Sequence, residues 1–256
     1  MRPTDPCPSA KDHAVVGAPL GASLQTAHDL GRTRPWGAQQ AAPLHVRRLE
    51  GLVPYGDALA LQREAHAARR AGTGPDTLFL LEHAPVVTLG PRTGPGDLLH
   101  SEEALRARGV EVHRTDRGGG VTFHGPGQMV AYPVLDLRGL GLRPRDYLRF
   151  LEGVVIDVLR GFGLPGTTVE GRTGVWVGGA KVCALGVRVA GGVSMHGLAL
   201  NVTTDLGGFG AIVPCGIRDA GVTSLARLLT SPPTMPDVMD RFEDAFRRET
   251  HRRSAR

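Results

Sequence analysis

Cysteines and long hydrophobic runs are scarce in this sequence, and each shortage excludes a class of protein. The 256 residues include three cysteines, Cys7, Cys183 and Cys215, an odd and sparse set that is not a disulfide framework. No apolar run approaches the roughly 18 residues that a membrane-spanning helix needs. The apolar stretch 14–24 follows Asp12 and is interrupted by glycine and proline, which argues against a signal peptide. The sequence therefore predicts a cytoplasmic protein.

Aromatic residues are also few, at 5%, although the formal net charge of +5 invites a nucleic-acid hypothesis. Residues 247–256 carry a charge of +4 and residues 1–43 a charge of +1, so residues 44–246 are neutral. A solvated basic tail explains this distribution. A basic nucleic-acid-binding module remains the alternative from a different class, but the neutral body and the few stacking side chains argue against it.

Lysine is the rarest basic residue. Of the 30 basic residues, 28 are arginine, and the two lysines are Lys11 and Lys181. Arginine does not give up its proton in a protein, whereas a lysine ammonium does when its surroundings lower its pKa. The lysine at position 181 therefore suggests a proton-transfer role, although a few lysines are also expected by chance.

Composition divides the chain into three parts. Residues 1–43 contain six prolines, four glycines and eight alanines without any sustained period, which predicts a disordered extension. Residues 44–246 show strand and helix periodicities, most clearly a helix from Pro144 to Gly161 that begins with proline and ends at glycine. Because strands and helices do not alternate regularly, we expect a single α+β domain with a mixed β-sheet flanked by helices. Residues 247–256 complete the chain as a basic tail.

A glycine-rich segment, RGGGVTFHGPG, occupies residues 117–127 between two predicted strands. Glycine lets a ligand approach the backbone closely, and accessible amides can hold an anion or a carbonyl. Arg117 could anchor a carboxylate or phosphate, and His124 could donate or accept a proton. A glycine-rich hairpin with a structural histidine fits the pattern equally well. The segment is neither a dinucleotide fingerprint nor a P-loop.

A second segment, GGAKVCALG, covers residues 178–186. Strand alternation predicts that Lys181, Cys183, Leu185 and Val187 share one face. If that face lines a cavity, burial lowers the pKa of Lys181 and makes it a suitable general base. The alternative, which the local pattern alone favours, is a solvent-facing lysine at the end of a hairpin.

A third segment, SMHGLALNV, covers residues 194–202. The small residues Gly197 and Ala199 leave room for a chain to lie against the strand. A tight strand crossing in the core explains them equally well.

A fourth segment, IVPCGI, covers residues 212–217. Cys215 stands between proline and glycine, a turn setting that is more exposed than that of a buried, inert cysteine. Cys183 lies within an apolar predicted strand and is interpreted as core packing, and Cys7 lies in the extension. Cys215 is therefore the better candidate nucleophile. Metal binding is not supported, because the histidines are scattered without a zinc-ligand spacing.

In this order, the four segments resemble those of the lipoyl (octanoyl) transferase family over residues 44–246. The 34 residues that separate Lys181 from Cys215 agree with the lysine–cysteine dyad of that family. One departure is Phe123, where the family commonly has tyrosine. The resemblance implies the fold of biotin and lipoate protein ligases.

The resemblance also implies an activity: transfer of octanoate from octanoyl-acyl carrier protein to a lysine of apo lipoyl domains, in dehydrogenase E2 subunits and the glycine cleavage H protein. Cys215 would carry the acyl group as a thioester, and Lys181 would lower its pKa and shuttle the proton. No ATP, metal or redox cofactor is required. The nearest alternative is an ATP-dependent lipoate or biotin protein ligase, which needs no cysteine. The implied substrate-binding residues are Arg117, Gly118, Gly119, Gly120, Val121, Thr122, Phe123, His124, Ala184, Leu185, Gly186, Gly197, Leu198 and Ala199.

Overall fold

The computed structural model describes residues 43–213 and 221–254, all of which lie in one compact unit. The predicted extension, apart from its last residue, and Cys215 lie outside the described residues. The helices are α1 (Tyr55–Ala71), α2 (Glu102–Arg106), α3 (Pro144–Gly161), α4 (Leu225–Leu228) and α5 (Met235–Ser254), with a 3-10 helix at Leu206–Ala211. The strands are β1 (Leu44–Val53), β2 (Asp76–His83), β3 (Val86–Leu89), β4 (Glu111–Arg114), β5 (Val121–His124), β6 (Gln128–Val134), β7 (Thr167–Val169), β8 (Arg172–Val177), β9 (Ala180–Ala190) and β10 (Val193–Asn201).

The strands form two sheets. The larger has seven strands in the order β1-β2-β6-β10-β9-β8-β7, and the smaller has three in the order β4-β3-β5. In the larger sheet β1 and β2 are parallel and the other neighbours are antiparallel. In the smaller sheet β3 runs parallel to β4 and antiparallel to β5. The predicted mixed sheet is confirmed.

Both faces of the larger sheet are buried, because helices cover each of them. Along β2, Leu78 and Leu80 pack into a core with α3 and α5, whereas Phe79 and Leu81 pack toward α1. Successive side chains of a strand point to opposite faces, so an unbroken apolar run fits a strand covered on both sides. A third apolar cluster lies against the smaller sheet and the 3-10 helix.

The helix ends follow local sequence signals. α3 begins with Pro144 in its first turn and ends at Gly161, as the sequence predicts. Ser101 caps α2 by accepting a hydrogen bond from the amide of Ala104 at 3.2 Å. Thr234 and Asp237 exchange side-chain and backbone hydrogen bonds at the start of α5, which is the arrangement of a capping box.

Two regions differ in detail from the sequence-based expectations. The glycine-rich segment 117–127 contains a short strand, β5, because Val121 to His124 pair with β3 in register. Residues 247–254, assigned from the sequence to a basic tail, form the last turns of α5. Within the described part of the chain, no helix is both long enough and apolar enough to cross a membrane.

Candidate active site

A cavity of about 540 Å³ lies where the larger sheet meets the glycine-rich segment. Four of its lining residues are exposed, Arg92, Gly94, Gly171 and Thr173, and they mark its mouth. Tyr55, Tyr132 and His196 are nearly fully buried and close the other end, and the buried His124 also lies in the wall. The remaining lining residues are Asp97, Arg117, Gly119, Gly120, Thr122, Arg172, Lys181, Ala184, Leu185, Gly186, Gly197, Leu198 and Ala199.

Eleven of the fourteen predicted substrate-binding residues line this cavity. The other three are Gly118, Val121 and Phe123. Successive side chains of β5 point to opposite faces of the strand. Thr122 and His124 therefore line the cavity, whereas Val121 and Phe123 pack into the apolar cluster of the smaller sheet. Phe123 meets the ring of Phe209 edge-on at 5.6 Å, so it serves packing at the position where the related family commonly has tyrosine.

Close backbone approach explains the glycines at Gly197 and Gly186. A Cβ atom on Gly197 would lie 2.0 Å from the carbonyl oxygen of Ala131, and one on Gly186 would lie 2.7 Å from that of Gly118. Both distances are impossible for real contacts, so the strands and the glycine-rich segment can approach this closely because these positions lack a side chain. Gly197 therefore serves the tight strand crossing considered from the sequence, while it also lines the cavity.

Lys181 is buried, with 9% of its surface exposed, and lines the cavity. Its Nζ atom lies 4.8 Å from the centroid of the Trp176 ring, a cation–π arrangement. The solvent-facing alternative for this lysine is thus wrong. The Lys181 amide donates to the carbonyl of Gly221 at 2.9 Å, and its carbonyl accepts from the amide of Thr223 at 2.9 Å. The chain that follows the undescribed residues 214–220 is therefore bonded directly to Lys181.

The predicted common face of Lys181 and Cys183 is interrupted. Val175 pairs with Cys183 but Trp176 pairs with Lys181, so β9 holds one extra residue, a β-bulge, at this point. Cys183 is fully buried in the core with α3 and α5, as the sequence interpretation proposed. Burial raises the pKa of its thiol well above the ordinary value, which leaves Cys183 unreactive.

A chain of side-chain hydrogen bonds connects His124 to Thr223, the residue whose amide is bonded to Lys181. The Nδ2 atom of Asn201 donates to the carbonyl of Thr223 at 2.9 Å, and the Nε2 atom of Gln128 donates to Oδ1 of Asn201 at 2.9 Å. The Oε1 atom of Gln128 must then accept from Nδ1 of His124, at 2.7 Å. Burial lowers the pKa of His124 to about 3. The ring is therefore neutral, with its lone pair on Nε2.

Arg117 lies under the glycine-rich segment with 7% of its surface exposed. Its Nε donates to Oγ1 of Thr88 at 3.0 Å, and one terminal nitrogen donates to the Thr88 carbonyl at 2.7 Å. These bonds fix a guanidinium in the cavity wall.

Several cavity residues were missed by sequence reasoning. Tyr55 begins α1, Tyr132 lies on β6, and Arg92 and Asp97 follow β3. The last two stand in PRTGPGD, residues 91–97, whose proline and glycines signal a loop but no particular chemistry. Among residues 43–213 and 221–254, no group of three or more metal-ligating side chains is positioned to hold a metal ion.

Comparison with known proteins identifies the family. The family model described as lipoyl protein ligase A/B catalytic domain matches residues 54–247. An octanoyltransferase of Rubrobacter xylanophilus is 50% identical over 214 residues, which cover 82% of this chain and 95% of that protein. The chain belongs to the octanoyltransferase family. It is therefore an acyltransferase.

Other members and structural neighbours extend this octanoyltransferase relationship. The mitochondrial octanoyl-[acyl-carrier-protein]:protein N-octanoyltransferase of Xenopus tropicalis is 50% identical over 212 residues, covering 80% of this chain and 87% of that protein. Lipoate-protein ligase A, solved with ATP, superposes with a TM-score of 0.64 at 18% identity and covers 82% of this chain and 86% of its own. A biotin protein ligase of Aquifex aeolicus superposes with a TM-score of 0.51 at 11% identity, and the match covers 83% of this chain and 72% of the ligase chain. The predicted ligase fold is confirmed.

Proposed function

We propose that the protein moves an octanoyl group from octanoyl-acyl carrier protein to a specific lysine of apo lipoyl domains through a thioester on Cys215. The acceptors are dehydrogenase E2 subunits and the glycine cleavage H protein. The name of the Xenopus relative, octanoyl-[acyl-carrier-protein]:protein N-octanoyltransferase, supports a carrier-protein donor and a protein acceptor. The four sequence segments, which resemble those of the family, support the roles of Cys215 and Lys181.

The observation that carries the proposal is the anchoring of both ends of segment 214–220 at the cavity. Val213, two residues before Cys215, donates its N–H to the carbonyl of Asp97 at 2.8 Å. Gly221, on the other side, accepts from the amide of Lys181. Asp97 and Lys181 both line the cavity. Cys215 stands two positions after Val213 in the sequence, which supports a role for its thiol at this cavity.

The first half of the reaction is a thioester exchange. The neutral amine of Lys181 takes the proton of the Cys215 thiol, and the thiolate attacks the carbonyl carbon of the carrier thioester. The tetrahedral intermediate collapses by breaking the carbon–sulfur bond to the carrier, and Lys181 returns the proton to the departing thiolate. One thioester replaces another, so the step needs no external energy source.

The second half forms an amide. The neutral amine of the acceptor lysine attacks the Cys215 thioester, and the carbon–sulfur bond breaks. Lys181 takes the proton that the nitrogen loses and passes it to the departing Cys215 thiolate, which restores the thiol. An amide is more stable than a thioester, so this half is downhill. Two successive steps let one cavity serve two large protein substrates in turn. The apolar wall at Ala184, Leu185, Leu198 and Ala199 suits a saturated acyl chain.

The alternatives make different predictions. An ATP-dependent ligase would adenylate a free acid and would not need Cys215. A nucleic-acid-binding module would need basic groups whose charge is not already neutralised, yet four arginines near the end of α5 form ion pairs with carboxylates. These are Arg247, Arg248, Arg252 and Arg253.

The test is transfer without nucleotide. The full chain is incubated with octanoyl-acyl carrier protein and an apo lipoyl domain in the absence of ATP, and octanoylation of the acceptor lysine is followed by mass spectrometry. We expect complete modification. Strict dependence on ATP and free octanoate would favour the ligase alternative and contradict the proposal.

A further inference from the structure

His196 lies at the closed end of the cavity in a backbone conformation that residues other than glycine rarely adopt, with φ at 57°. Extending the β10–β6 register from Leu198 and Ala131 brings His196 opposite Pro133, which has no N–H to donate. The N–H of His196 donates instead to Oε1 of Gln62 in α1 at 2.8 Å. Such an outlier, held from a neighbouring helix, is the kind of local strain that functional sites carry.

The ring of His196 is oriented by Asp116. Its Nε2 lies 2.8 Å from one carboxylate oxygen of Asp116, and Arg188 contacts the other oxygen at 3.1 Å. Partial burial acts to raise the pKa of the Asp116 carboxyl, but the hydrogen bond from His196 and the neighbouring Arg188 guanidinium lower it overall. Burial lowers the pKa of His196, so its ring is neutral. Nε2 therefore carries the ring hydrogen, and Nδ1 carries a lone pair.

The Nδ1 atom of His196 is a buried acceptor with no hydrogen-bond partner among the described residues. The hydroxyls of Tyr55 and Tyr132, at the same end of the cavity, contact Thr115 at 3.0 Å and His83 at 2.8 Å. His196 lines the cavity and Asp116 does not. The closed end thus presents an acceptor that a ligand or a water can satisfy.

This acceptor is far from the proposed reacting groups. His196 pairs with Val187, which stands six residues after Lys181 on β9. At about 3.3 Å per residue, and with the bulged residue of β9 adding little length, the two levels are about 16 Å apart. The exposed mouth residue Thr173 precedes Gly174, which lies against the Lys181 side chain. His196 is therefore at the end of the cavity away from Lys181, and it takes no part in proton transfer at the thioester.

We propose that His196 is a polar stop that sets the length of the acyl chain. The inference rests on the proposed function, because it requires the thioester at the Lys181 end and the chain directed inward. A short chain leaves room for a water that donates to Nδ1. A longer saturated chain expels that water and leaves Nδ1 buried without a hydrogen-bond partner. The free-energy cost of that unpaired acceptor weakens binding of the longer chain strongly. A chain of the same length that ends in a hydroxyl donates to Nδ1 and is accepted.

The first test uses the wild-type protein. The kcat/KM for acylation is measured with hexanoyl-, octanoyl-, decanoyl- and dodecanoyl-acyl carrier protein and with their ω-hydroxy counterparts. We expect kcat/KM to fall roughly tenfold or more at the first saturated length that reaches His196. At that length a terminal hydroxyl restores most of the loss. A hydroxyl that lowers kcat/KM at every length overturns the proposal.

The second test replaces the acceptor. His196→Leu removes Nδ1 at similar side-chain size, and we expect the fall with chain length to shrink severalfold. The matched control is His66→Leu, because His66 is buried in α1 with its Nε2 also unpartnered among the described residues but does not line the cavity. We expect His66→Leu to show the same dependence of kcat/KM on chain length as the wild type.

The outcomes separate the two proposals. A folded His196→Leu protein with an unchanged length profile overturns the polar stop and leaves octanoyl transfer intact. If His196→Leu does not fold, the ω-hydroxy comparison in the wild type decides. Failure of every chain length to acylate the protein contradicts the proposed function, and with it the polar stop.

Discussion

The Nζ atom of Lys181 lies 4.8 Å from the centroid of the Trp176 ring, inside the wall of the cavity. An arginine at this position could stack on the same ring, because guanidinium groups also pack on aromatic faces. Substitution by arginine therefore preserves the charge and much of the packing while removing the ability to give up a proton. This separates proton transfer from electrostatics.

We predict that Lys181→Arg slows acylation of Cys215 by octanoyl-acyl carrier protein about a hundredfold or more, the usual effect of removing a general base. Thermal unfolding should stay close to that of the wild type. Single-turnover acylation rates measure the effect, with the unfolding curve as the control for folding. A rate near that of the wild type would leave Lys181 with an electrostatic role.

We predict that Cys183→Ser retains most of the acyl-transfer activity, because Cys183 is buried in the core rather than in the cavity wall. A buried hydroxyl costs about 1–3 kcal/mol of stability when it lacks a good partner, so the melting temperature should fall. Cys183→Ala, which adds no polar group, is the control and should be the more stable of the two. An octanoyl adduct on Cys183 in the wild type would refute the assignment.

We predict that Asn201→Asp slows acylation roughly tenfold with little change in KM. Aspartate matches asparagine in size and can still accept from Gln128, but it lacks the donor that holds the Thr223 carbonyl next to Lys181. The carboxylate also leaves that carbonyl unpartnered, a cost of about 1–3 kcal/mol.

Steady-state kinetics of Asn201→Asp would be compared with those of Asn201→Ala, which loses both contacts. We expect similar kcat values for the two variants if the bond to Thr223 is the one that matters. A wild-type kcat for Asn201→Asp would show that this bond does not position the site.

We predict that the free energy of unfolding falls as the pH drops below about 6.5. Burial lowers the pKa of His83 to about 4 and that of His124 to about 3. In the unfolded protein these histidines take up protons near pH 6.5, whereas in the folded protein they stay neutral until the pH reaches their lowered pKa values. The stability present at neutral pH is therefore lost as the pH falls from about 6.5 towards those values. Each contributes a loss of about 2 kcal/mol at pH 5.

Urea unfolding near pH 7 and near pH 5 measures this loss. His83→Gln should reduce it by about 2 kcal/mol, because glutamine does not titrate. His45→Gln, at an exposed position on β1, is the control and should leave the loss unchanged. An equal loss in His83→Gln and the wild type would argue against the lowered pKa of His83.

The sequence predicted the elements that depend on local signals. Pro144 and Gly161 delimit α3, and the small residues Gly197 and Ala199 mark the strand that lines the cavity. The burial of Lys181 was not decidable locally, because its neighbours Trp176 and Gly221 come from separate parts of the chain. The four segments belong to one site because the sheet order joins them, and no single segment encodes that order.

Two kinds of residue escaped the sequence analysis for physical reasons. The extra residue in β9 breaks the strict alternation that had grouped Lys181 with Cys183, and no glycine or proline marks the bulge. Asp116 and Gln62 orient His196 from 80 and 134 residues away along the chain. Such long-range hydrogen bonds leave no periodic signal, so the structure is needed to find them.

The central claim is that Cys215 carries the acyl group before it reaches the acceptor. The most direct measurement is the intact mass of the wild-type protein and of Cys215→Ser after exposure to octanoyl-acyl carrier protein without ATP, followed by peptide mapping. We predict one octanoyl adduct on Cys215 in the wild type, sensitive to hydroxylamine as a thioester is, and none in Cys215→Ser. An unmodified wild-type protein that still octanoylates an apo lipoyl domain, or an adduct on another residue, would contradict the account.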